Sequence, residues 1–286
     1  MSHFVYGRQF LAVADEQARV AAASVVVAQA IGMAIVGPIV LAVSLMNKDV
    51  VQNPTWQNLG ASSKVLRAVP WSMFIGFVIP TVAMVMLLWL QPAAQWKMFV
   101  INVWLYFPVC FNNCQLLLTS FILPHLEMRR KTPTTGQSDE QEIVSLRTCY
   151  RQGLALALVT HISTWAASLS ALWFPELFDP HASRESQPNS VFVPPLPRSG
   201  NKARTLTQGF HWIMLWDDVL MGVIYLLWAA TLLRCCNVSM IRIFRLALTS
   251  VLVGPCGAAL LMVWERDEMV YNKVHSKNPH EGLKAS

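Results

Sequence analysis

The sequence predicts an all-α membrane protein, a polytopic bundle of about six transmembrane helices in a single domain over residues 1–286. Of its residues, 54% are hydrophobic and only 13% are charged, and the mean hydropathy is +0.42, beyond ordinary soluble usage. Six apolar stretches approach or exceed the length needed to cross a bilayer. Tryptophan occurs 11 times, often near the ends of these stretches, where indole rings favour the headgroup region.

The first three predicted spans cover residues 20–46, 71–92 and 98–123. Pro38 and Pro80 lie inside the first two spans and predict kinks. The connection between the second and third spans is short, so these helices should lie antiparallel and side by side. The N-terminal residues lack the basic-then-apolar layout of a cleavable signal peptide. The first span is therefore expected to act as the signal anchor.

The last three predicted spans cover residues 151–174, 208–233 and 243–264, and a polar tail follows from Glu265. Residues 175–207 form the longest loop, whose proline-rich sequence excludes regular helix throughout and predicts a lid or a disordered connector. A seventh span is added if the N-terminal segment or a loop also crosses. The 22 Lys and Arg residues divide evenly between the two sides of a six-span arrangement, so their distribution does not orient the protein.

Two adjacent carboxylates interrupt the fifth predicted span. Asp217 and Asp218 are the only members of the 16 acidic residues inside any predicted span. A charge at this depth costs about 3 kcal/mol on insertion scales, so intramembrane acids are candidates for function. A carboxyl group among apolar groups stays protonated and can donate a proton. The structural alternative is that both acids hydrogen-bond between helices or pair with a cation such as Arg245.

Other polar and aromatic side chains at membrane depth are candidates to line the same site. Asp218 shares a helix face with His211 and Tyr225, each seven residues away, so this face could line a polar cavity. The remaining candidates are Gln29, Trp104, Asn112, Asn113, Gln115 and Trp216. For each of them, packing or hydrogen bonding between helices is the competing interpretation. His161 and Trp165 are interpreted first as packing residues.

The residue pattern also argues against several classes of function. The six cysteines form no CxxC pair, which makes a zinc site improbable, and the seven histidines lack the clustering of a di-iron site. A single acid pair does not supply the two clusters that a magnesium-dependent prenyl diphosphate site needs. The net charge of +6 lies mainly in connecting segments, which predicts contact with anionic lipid and not with nucleic acid. No metal and no other cofactor is predicted.

Three segments of the chain resemble the fungal integral-membrane terpene cyclases of meroterpenoid biosynthesis. They are PWSMFIGFVIPTVAMVML from Pro70, INVWLYFPV from Ile101, and PPLPRSG followed by LWDDVLMGVIYLLWA. The resemblance implies metal-free, protonation-initiated cyclisation of a farnesyl-type chain on an aromatic or quinone-like core, in the endoplasmic reticulum membrane. The Trp-Asp pair of that family falls on Trp216 and Asp217, so Asp217 is the expected general acid. Asp218 stands where the family has an aromatic residue, which leaves its role open.

This chain departs from the compact branch of that family in one further way. That branch also uses a glutamate from an early helix, and no early predicted span here contains an acid. A second acid is then either absent or replaced by Gln29 or by an amide of Asn112 or Asn113. The expected ligand is a hydrophobic prenylated small molecule that enters from the bilayer. The alternative function is a transporter or receptor-like protein that uses the Asp pair for proton or cation coupling.

Overall fold

The computed structural model of the chain describes residues 33–46, 51, 54–55, 63–90, 94–125, 138–178, 183–184, 186–195 and 206–275. All regular elements within these ranges are helices, which confirms the all-α prediction. The contacts divide the described residues into a first unit between residues 63 and 149 and a second unit that holds residues 33–55 and 150–275. One domain over the whole chain stays a prediction.

The helices differ in length from a short turn to one of 36 residues. In chain order they are α1 (Met33–Met46), α2 (Ser63–Met73), α3 (Ile79–Leu90), α4 (Ala94–Leu105), α5 (Phe107–Leu117), α6 (Ser138–Trp173), α7 (Pro188–Phe192), α8 (Leu206–Cys235), α9 (Met240–Leu248) and α10 (Ser250–His275). Two π-helical segments, Phe74–Val78 and Leu118–Ile122, follow α2 and α5. A single 3-10 turn spans Pro175–Leu177.

The helices of the first unit pack as an antiparallel pair. The contacts that set their register are Ser72 with Gln115, Gly76 with Phe111, and Thr81 with Trp104. Along these three pairs the first residue number rises while the second falls, so α2 and α3 run antiparallel to α4 and α5, as the short connection predicts. A β-carbon on Gly76 would lie 2.5 Å from the Cα atom of Phe111. The glycine therefore permits close approach of the two backbones.

Prolines explain the irregular turns of this unit. Each π-helical segment ends two residues before a proline, Pro80 or Pro124, whose ring clashes with the carbonyl four residues earlier in a regular α-helix. Pro70 lies inside α2, which begins at Ser63, where the sequence predicts a loop. Proline cannot donate to the carbonyl of Leu66, and the Cys149 thiol donates to that oxygen over 3.0 Å instead.

In the second unit, α1 runs parallel to α8. Gly37 is packed against the end of the Met221 side chain, and the Trp228 indole donates to the Ser44 hydroxyl over 2.8 Å. From the first contact to the second, the residue number rises by seven on each helix, so the two helices run in the same direction. Two parallel helices of one bundle cross a bilayer in the same sense. The order and number of the six spans stay predictions.

The predicted sixth span, residues 243–264, is not one continuous helix. Gly254 has a left-handed φ of 75° inside α10, and Pro255 begins the helical arm that follows. Arg242 on α9 forms an ion pair with Glu265, and a β-carbon on Gly257 would lie 3.0 Å from the Val253 Cβ atom. The chain therefore folds back at Gly254 into a helical hairpin, with α9 and Ser250 to Val253 as its first arm. Glycine permits the positive φ, and proline suits the first turn of the next arm.

The second arm of this hairpin, residues 255–275, packs between α6 and α8. It runs parallel to α8, because Pro255 lies at Gly222 and Arg266 contacts the Cys236 sulfur. It continues as helix beyond Glu265, where the sequence predicts a polar tail. The buried apolar cluster that joins α8, α9 and α10 consists of Ala229, Leu233, Val238, Ile243, Ala259 and Met262. This cluster fixes the hairpin to α8.

Three helical stretches in the described part of the chain are long and apolar enough to cross a membrane: Lys64–Leu87, Glu140–Trp173 and Trp212–Cys235. The pair Phe99–Leu105 and Val109–His125, bent by 50°, makes a fourth if it counts as one span. In α1, Val36–Met46 is a shorter apolar helix. The helices thus have the lengths and composition of membrane spans in four of the predicted places, if the bent pair is one.

Candidate active site

Asp217 lies in the first half of α8, on the side that faces α1, and its side chain is half-buried. One turn later on this side, Met221 is buried against Gly37. Residues four apart are neighbours on a helix surface, so the Asp217 carboxyl borders an apolar contact between two helices. It is also close enough to Asp218 for the two charges to interact.

Asp218 points about 100° away from Asp217 around the helix, toward the hairpin, and its side chain is exposed. One turn later, Gly222 packs against Pro255, where a β-carbon would lie 2.8 Å from the proline Cβ atom. The thiol of Cys256 lies within electrostatic range of both Asp218 and the half-buried Tyr225. A carboxyl, a phenol and a thiol thus share the space beside the hairpin tip.

A side chain of α6 lies within hydrogen-bond distance of the backbone at the hairpin tip. The chain reverses at Gly254, so the Val251 carbonyl at the end of the first arm lacks the donor of a continuing helix, and His161 Nε2 lies 3.2 Å from that oxygen. The ring lies close to the tip, since a β-carbon on Gly254 would be 3.2 Å from His161 Nδ1. His161 therefore fixes the position of the tip relative to α6.

An aromatic group continues from His161 along α6 to the loop. The Trp165 indole lies 3.0 Å from His161 Nε2, and its ring stacks on Phe192 of α7 with centroids 4.2 Å apart. Nε2 accepts from Trp165 when the imidazole hydrogen is on Nδ1, and donates to Val251 when it is on Nε2. The sequence favoured packing for His161 and Trp165. The Gly254-Pro255 pair signals a break in the helix, but not which distant side chain approaches the carbonyl exposed there.

Trp216 connects α8 to the proline-rich loop. Its indole N–H donates to the Pro195 carbonyl over 3.1 Å. Earlier in the loop, the Ser168 hydroxyl of α6 donates to the Ser186 carbonyl over 2.8 Å. With Phe192 stacked on α6, these contacts hold the described part of the loop against both helices. The loop, α6, α8 and the hairpin tip therefore contribute to one region of the second unit.

The remaining predicted site residues belong to the first unit or have side chains that are not described. Gln29 lies outside the described residues, and His211 belongs to α8 with a side chain that is not described. Trp104 belongs to the first unit, where it donates to the Thr81 hydroxyl over 3.0 Å and packs on Phe107. Its role toward a substrate stays a prediction.

Among the three amides of α5, Gln115 makes the contacts between helices. It accepts from the Ser72 hydroxyl over 2.5 Å and donates to the Val65 carbonyl over 3.0 Å. Asn112 and Asn113 are exposed, and the described residues offer their side chains no hydrogen bond. Their predicted role toward a substrate stays a prediction.

A second polar cluster, which the sequence analysis missed, lies where α10 passes the start of the fourth predicted span. The Tyr150 hydroxyl donates to Asp267 over 2.5 Å, and Arg266 contacts both the Asp267 carboxylate and the Cys236 sulfur. Arg266 and Asp267 are only 4% and 7% exposed. Burial raises the pKa of Asp267, while the Tyr150 hydrogen bond and the Arg266 charge lower it. In the sequence, the adjacent Arg266 and Asp267 within the predicted polar tail were the signal that could have revealed this cluster.

The region that the loop, α6, α8 and the hairpin tip share contains groups suited to acid chemistry on an apolar molecule. It offers two carboxyl groups as proton donors, a phenol for hydrogen bonding, and indole and phenyl faces that attract cations. Within the described residues, no group of three His, Cys, Asp or Glu side chains is arranged to hold a metal ion.

Comparison with known proteins identifies a family and three fungal relatives. Terpene cyclase ascI of Acremonium egyptiacum is 24% identical over 89% of this chain and 64% of its own length. Terpene cyclase ctvD of Aspergillus terreus is 22% identical over 84% of this chain and 65% of its own length. Terpene cyclase sdgD of Emericella nidulans is 33% identical over 44% of this chain and 34% of its own length.

The aligned regions thus span less than two thirds of these relatives. No solved structure matches the chain. The names of the relatives confirm the resemblance to fungal terpene cyclases. The sequence profile of the CtvD domain matches residues 14–271, nearly the whole chain, so the protein belongs to the CtvD-domain family.

Proposed function

We propose that this protein is a metal-independent terpene cyclase of meroterpenoid biosynthesis, in which Asp217 starts the reaction by protonation. The substrate is a farnesyl-type chain, with a terminal epoxide or alkene, on an aromatic or quinone-like core. The carboxyl pair on α8 carries the proposal. Apart from Glu140 and Glu142 at the start of another stretch, Asp217 and Asp218 are the only carboxylates in the candidate spans of the described chain. The names of the three relatives support terpene cyclisation.

The chemistry follows from a single proton transfer. The Asp217 carboxyl gives its proton to the epoxide oxygen, or to an alkene carbon, and the resulting carbon cation is attacked by the next alkene along the chain. The bonds formed close the rings, and the last cation loses a proton or is captured by a hydroxyl of the substrate. The aspartate recovers a proton at the end of the cycle. Substrate and product are isomers, so no oxidant, reductant or other co-reactant enters.

The neighbours of the acid support this role. Asp218, with Tyr225 close to the same hairpin tip, supplies polar groups that orient the substrate oxygen or return the proton to Asp217. The stacked rings of Trp165 and Phe192 and the indole of Trp216 offer faces that attract a carbon cation. An apolar enclosure excludes water, which would otherwise capture the cation early.

We infer further that the protein is embedded in the endoplasmic reticulum membrane. Three to four stretches with the length and composition of spans support the membrane part of this proposal. Many large apolar side chains on these helices are exposed, for example Val82 at 51%, Ile162 at 53% and Leu227 at 63%. Such a surface suits lipid. A prenylated substrate that partitions into the bilayer can then reach α8 laterally.

The test is turnover of a prenylated epoxide in microsomes that express the wild type, Asp217→Asn or Asp218→Asn, with Glu176→Gln as a control that removes an exposed loop carboxyl. Mass spectrometry should find an isomer of equal mass with the wild type and with the control. Loss of a positioned general acid costs about 100-fold or more in rate, so Asp217→Asn should form almost no product. Asp218→Asn should retain measurable turnover.

Normal turnover by folded Asp217→Asn would refute its role as the acid. If no prenylated substrate is isomerised, and purified protein in liposomes moves protons or a solute instead, the cyclase proposal fails. The transporter alternative then takes its place.

A further inference from the structure

A hollow on the outer side of the hairpin lies far along α8 from the aspartates. Its lining consists of Ser239, Ile241, Arg242, Arg245, Leu246, Thr249 and Glu265. Cys236 follows Asp217 by 19 residues, about 28 Å along α8, and the first arm of the hairpin then returns about 9 Å from Ser239 to Arg245. About 19 Å along the helix axis therefore separates Arg245 from Asp217. The hollow is therefore separate from the candidate active site.

Arg245 is a cation on an otherwise apolar, exposed helix face. Ile241, Phe244 and Leu248 lie around it on the same side of α9 and are 68%, 64% and 54% exposed. The guanidinium forms no hydrogen bond or ion pair with the described residues, and its side chain is exposed. If the apolar face meets lipid, as the proposed membrane location requires, the charge must find water or an anion. An isolated Arg at such a place needs an external partner.

The geometry of α9 directs that side chain toward the membrane boundary. The candidate span in α8 ends at Cys235, and α9 starts after a short turn, so the Ser239 end of α9 lies at the same level as this boundary. Arg245 follows Ser239 by about 9 Å along the helix. Side chains of a helix lean toward its N-terminus, and a long Arg stem extends its charge toward the headgroups. The Arg245 guanidinium and Ser239 therefore line one hollow.

The other groups of the hollow leave it with a net positive charge. Arg242 and Glu265 form an ion pair and largely cancel each other. The Ser239 oxygen accepts from the Arg242 backbone N–H, which leaves its own hydroxyl hydrogen available to donate. An anion here meets the Arg245 fork and a hydroxyl. Phosphate oxygens match these donors in charge and geometry.

We propose that this hollow binds the phosphate of an anionic phospholipid, whose acyl chains lie against the apolar face of Ile241, Phe244 and Leu248. The shape of the site favours a lipid over a free phosphate, because the cation is surrounded by exposed apolar side chains and not by other charges. Basic hollows beside membrane helices bind anionic headgroups by the same physics. The inference depends on the membrane part of the proposed function and not on the cyclase reaction.

The experiment measures lipid retention by purified full-length protein with native mass spectrometry. Wild type, Arg245→Gln and Arg245→Lys are each titrated with phosphatidic acid or with phosphatidylcholine, and Arg184→Gln serves as a charge-matched control outside the hollow. Wild type and the control should retain phosphatidic acid preferentially. Arg245→Gln should weaken that retention at least about tenfold, because it loses a charge-assisted contact, and Arg245→Lys should lie between. Added salt should weaken retention by the wild type.

Three results would overturn the proposal. They are equal retention by wild type and Arg245→Gln, no preference for phosphatidic acid over phosphatidylcholine, or equally strong binding of inorganic phosphate by the detergent-solubilised wild type. Circular dichroism of Arg245→Gln confirms that lost retention is not lost folding. Carbonate extraction and the isomer assay test the membrane location and the cyclase separately, so each proposal can fail alone.

Discussion

His161 Nε2 lies 3.2 Å from the backbone oxygen of Val251, a carbonyl that the chain reversal at Gly254 leaves without its helical donor. With the imidazole hydrogen on Nε2, this side chain of α6 donates to the carbonyl and compensates for the break in α10, at the point where the hairpin tip meets Asp218 and Tyr225. Cys149 compensates for Pro70 at Leu66 in the same way in the first unit. In a membrane helix such compensation is valuable, since water is not at hand to satisfy the carbonyl.

Replacement of His161 by Ala should loosen the hairpin tip. The Val251 carbonyl then loses a hydrogen bond worth about 1 kcal/mol, and the contact with Gly254 is removed. We expect faster amide hydrogen exchange across residues 250–258 and lower turnover with a more heterogeneous set of products. His161→Gln, which keeps a donor at a similar distance, should restore part of both. Unchanged exchange in His161→Ala would show that the tip is held by the glycine and proline alone.

Trp216→Phe should release the loop from α8 without removing an aromatic ring. The variant loses only the indole hydrogen bond to the Pro195 carbonyl. We expect faster proteolysis within residues 186–195 and a higher KM, with a smaller change in kcat, because the acid itself is untouched. Trp228→Phe, which loses a similar bond to Ser44 on the opposite part of the helix, is the matched control. Equal effects of the two variants on KM would contradict a specific role for the loop contact.

Two glycines should respond differently to the same substitution. At Gly76 a β-carbon meets the backbone of Phe111, whereas at Gly37 it meets only the flexible end of Met221. A backbone cannot move aside as a methionine can, so Gly76→Ala should cost about 1–3 kcal/mol of stability and Gly37→Ala less than about 1. Thermal unfolding in one detergent compares the two directly. A larger loss for Gly37→Ala would contradict the close approach of the backbones in the first unit.

Stability should fall as the pH rises through the titration of Asp267. Burial holds the pKa of this carboxyl above its usual value of 3.8, so the folded protein keeps the proton longer than the unfolded chain does. The contribution of protonated Asp267 to the free energy of unfolding is complete below pH 3.8 and is lost as the pH rises through the folded-state pKa. Tyr150→Phe removes the hydrogen bond that lowers this pKa. The folded-state pKa then rises, so the loss of stability should extend to higher pH.

The cost of Tyr150→Phe should therefore be small at acidic pH and reach about 1–3 kcal/mol once Asp267 is ionised. Unfolding midpoints between pH 4 and 8 check the slope. Asp267→Asn, which cannot ionise, is the control and should flatten the dependence in this range. A pH-independent effect of Tyr150→Phe would contradict its coupling to the carboxyl.

Sequence periodicity and composition predicted the helical class and the side-by-side arrangement of the second and third spans, because both follow from local properties: length, hydropathy and a short connection. The predicted sixth span shows a feature that such local properties do not predict. Residues 243–264 are apolar enough to suggest one helix, but Gly254 and Pro255 permit either a kink or a reversal. Only the packing of Val238, Ile243 and Met262 against α8 selects the reversal.

The sequence by itself determined that two carboxyl groups lie in an apolar helix of an all-α protein, since scarcity of charge is readable residue by residue. It did not determine what surrounds them. The tertiary structure decided that Asp218 faces the hairpin tip, that His161 and Trp165 approach from α6, and that Asn112 and Trp104 belong to another unit. Such contacts join residues about 40 to 100 positions apart, and no local pattern encodes which distant side chain fills a given gap.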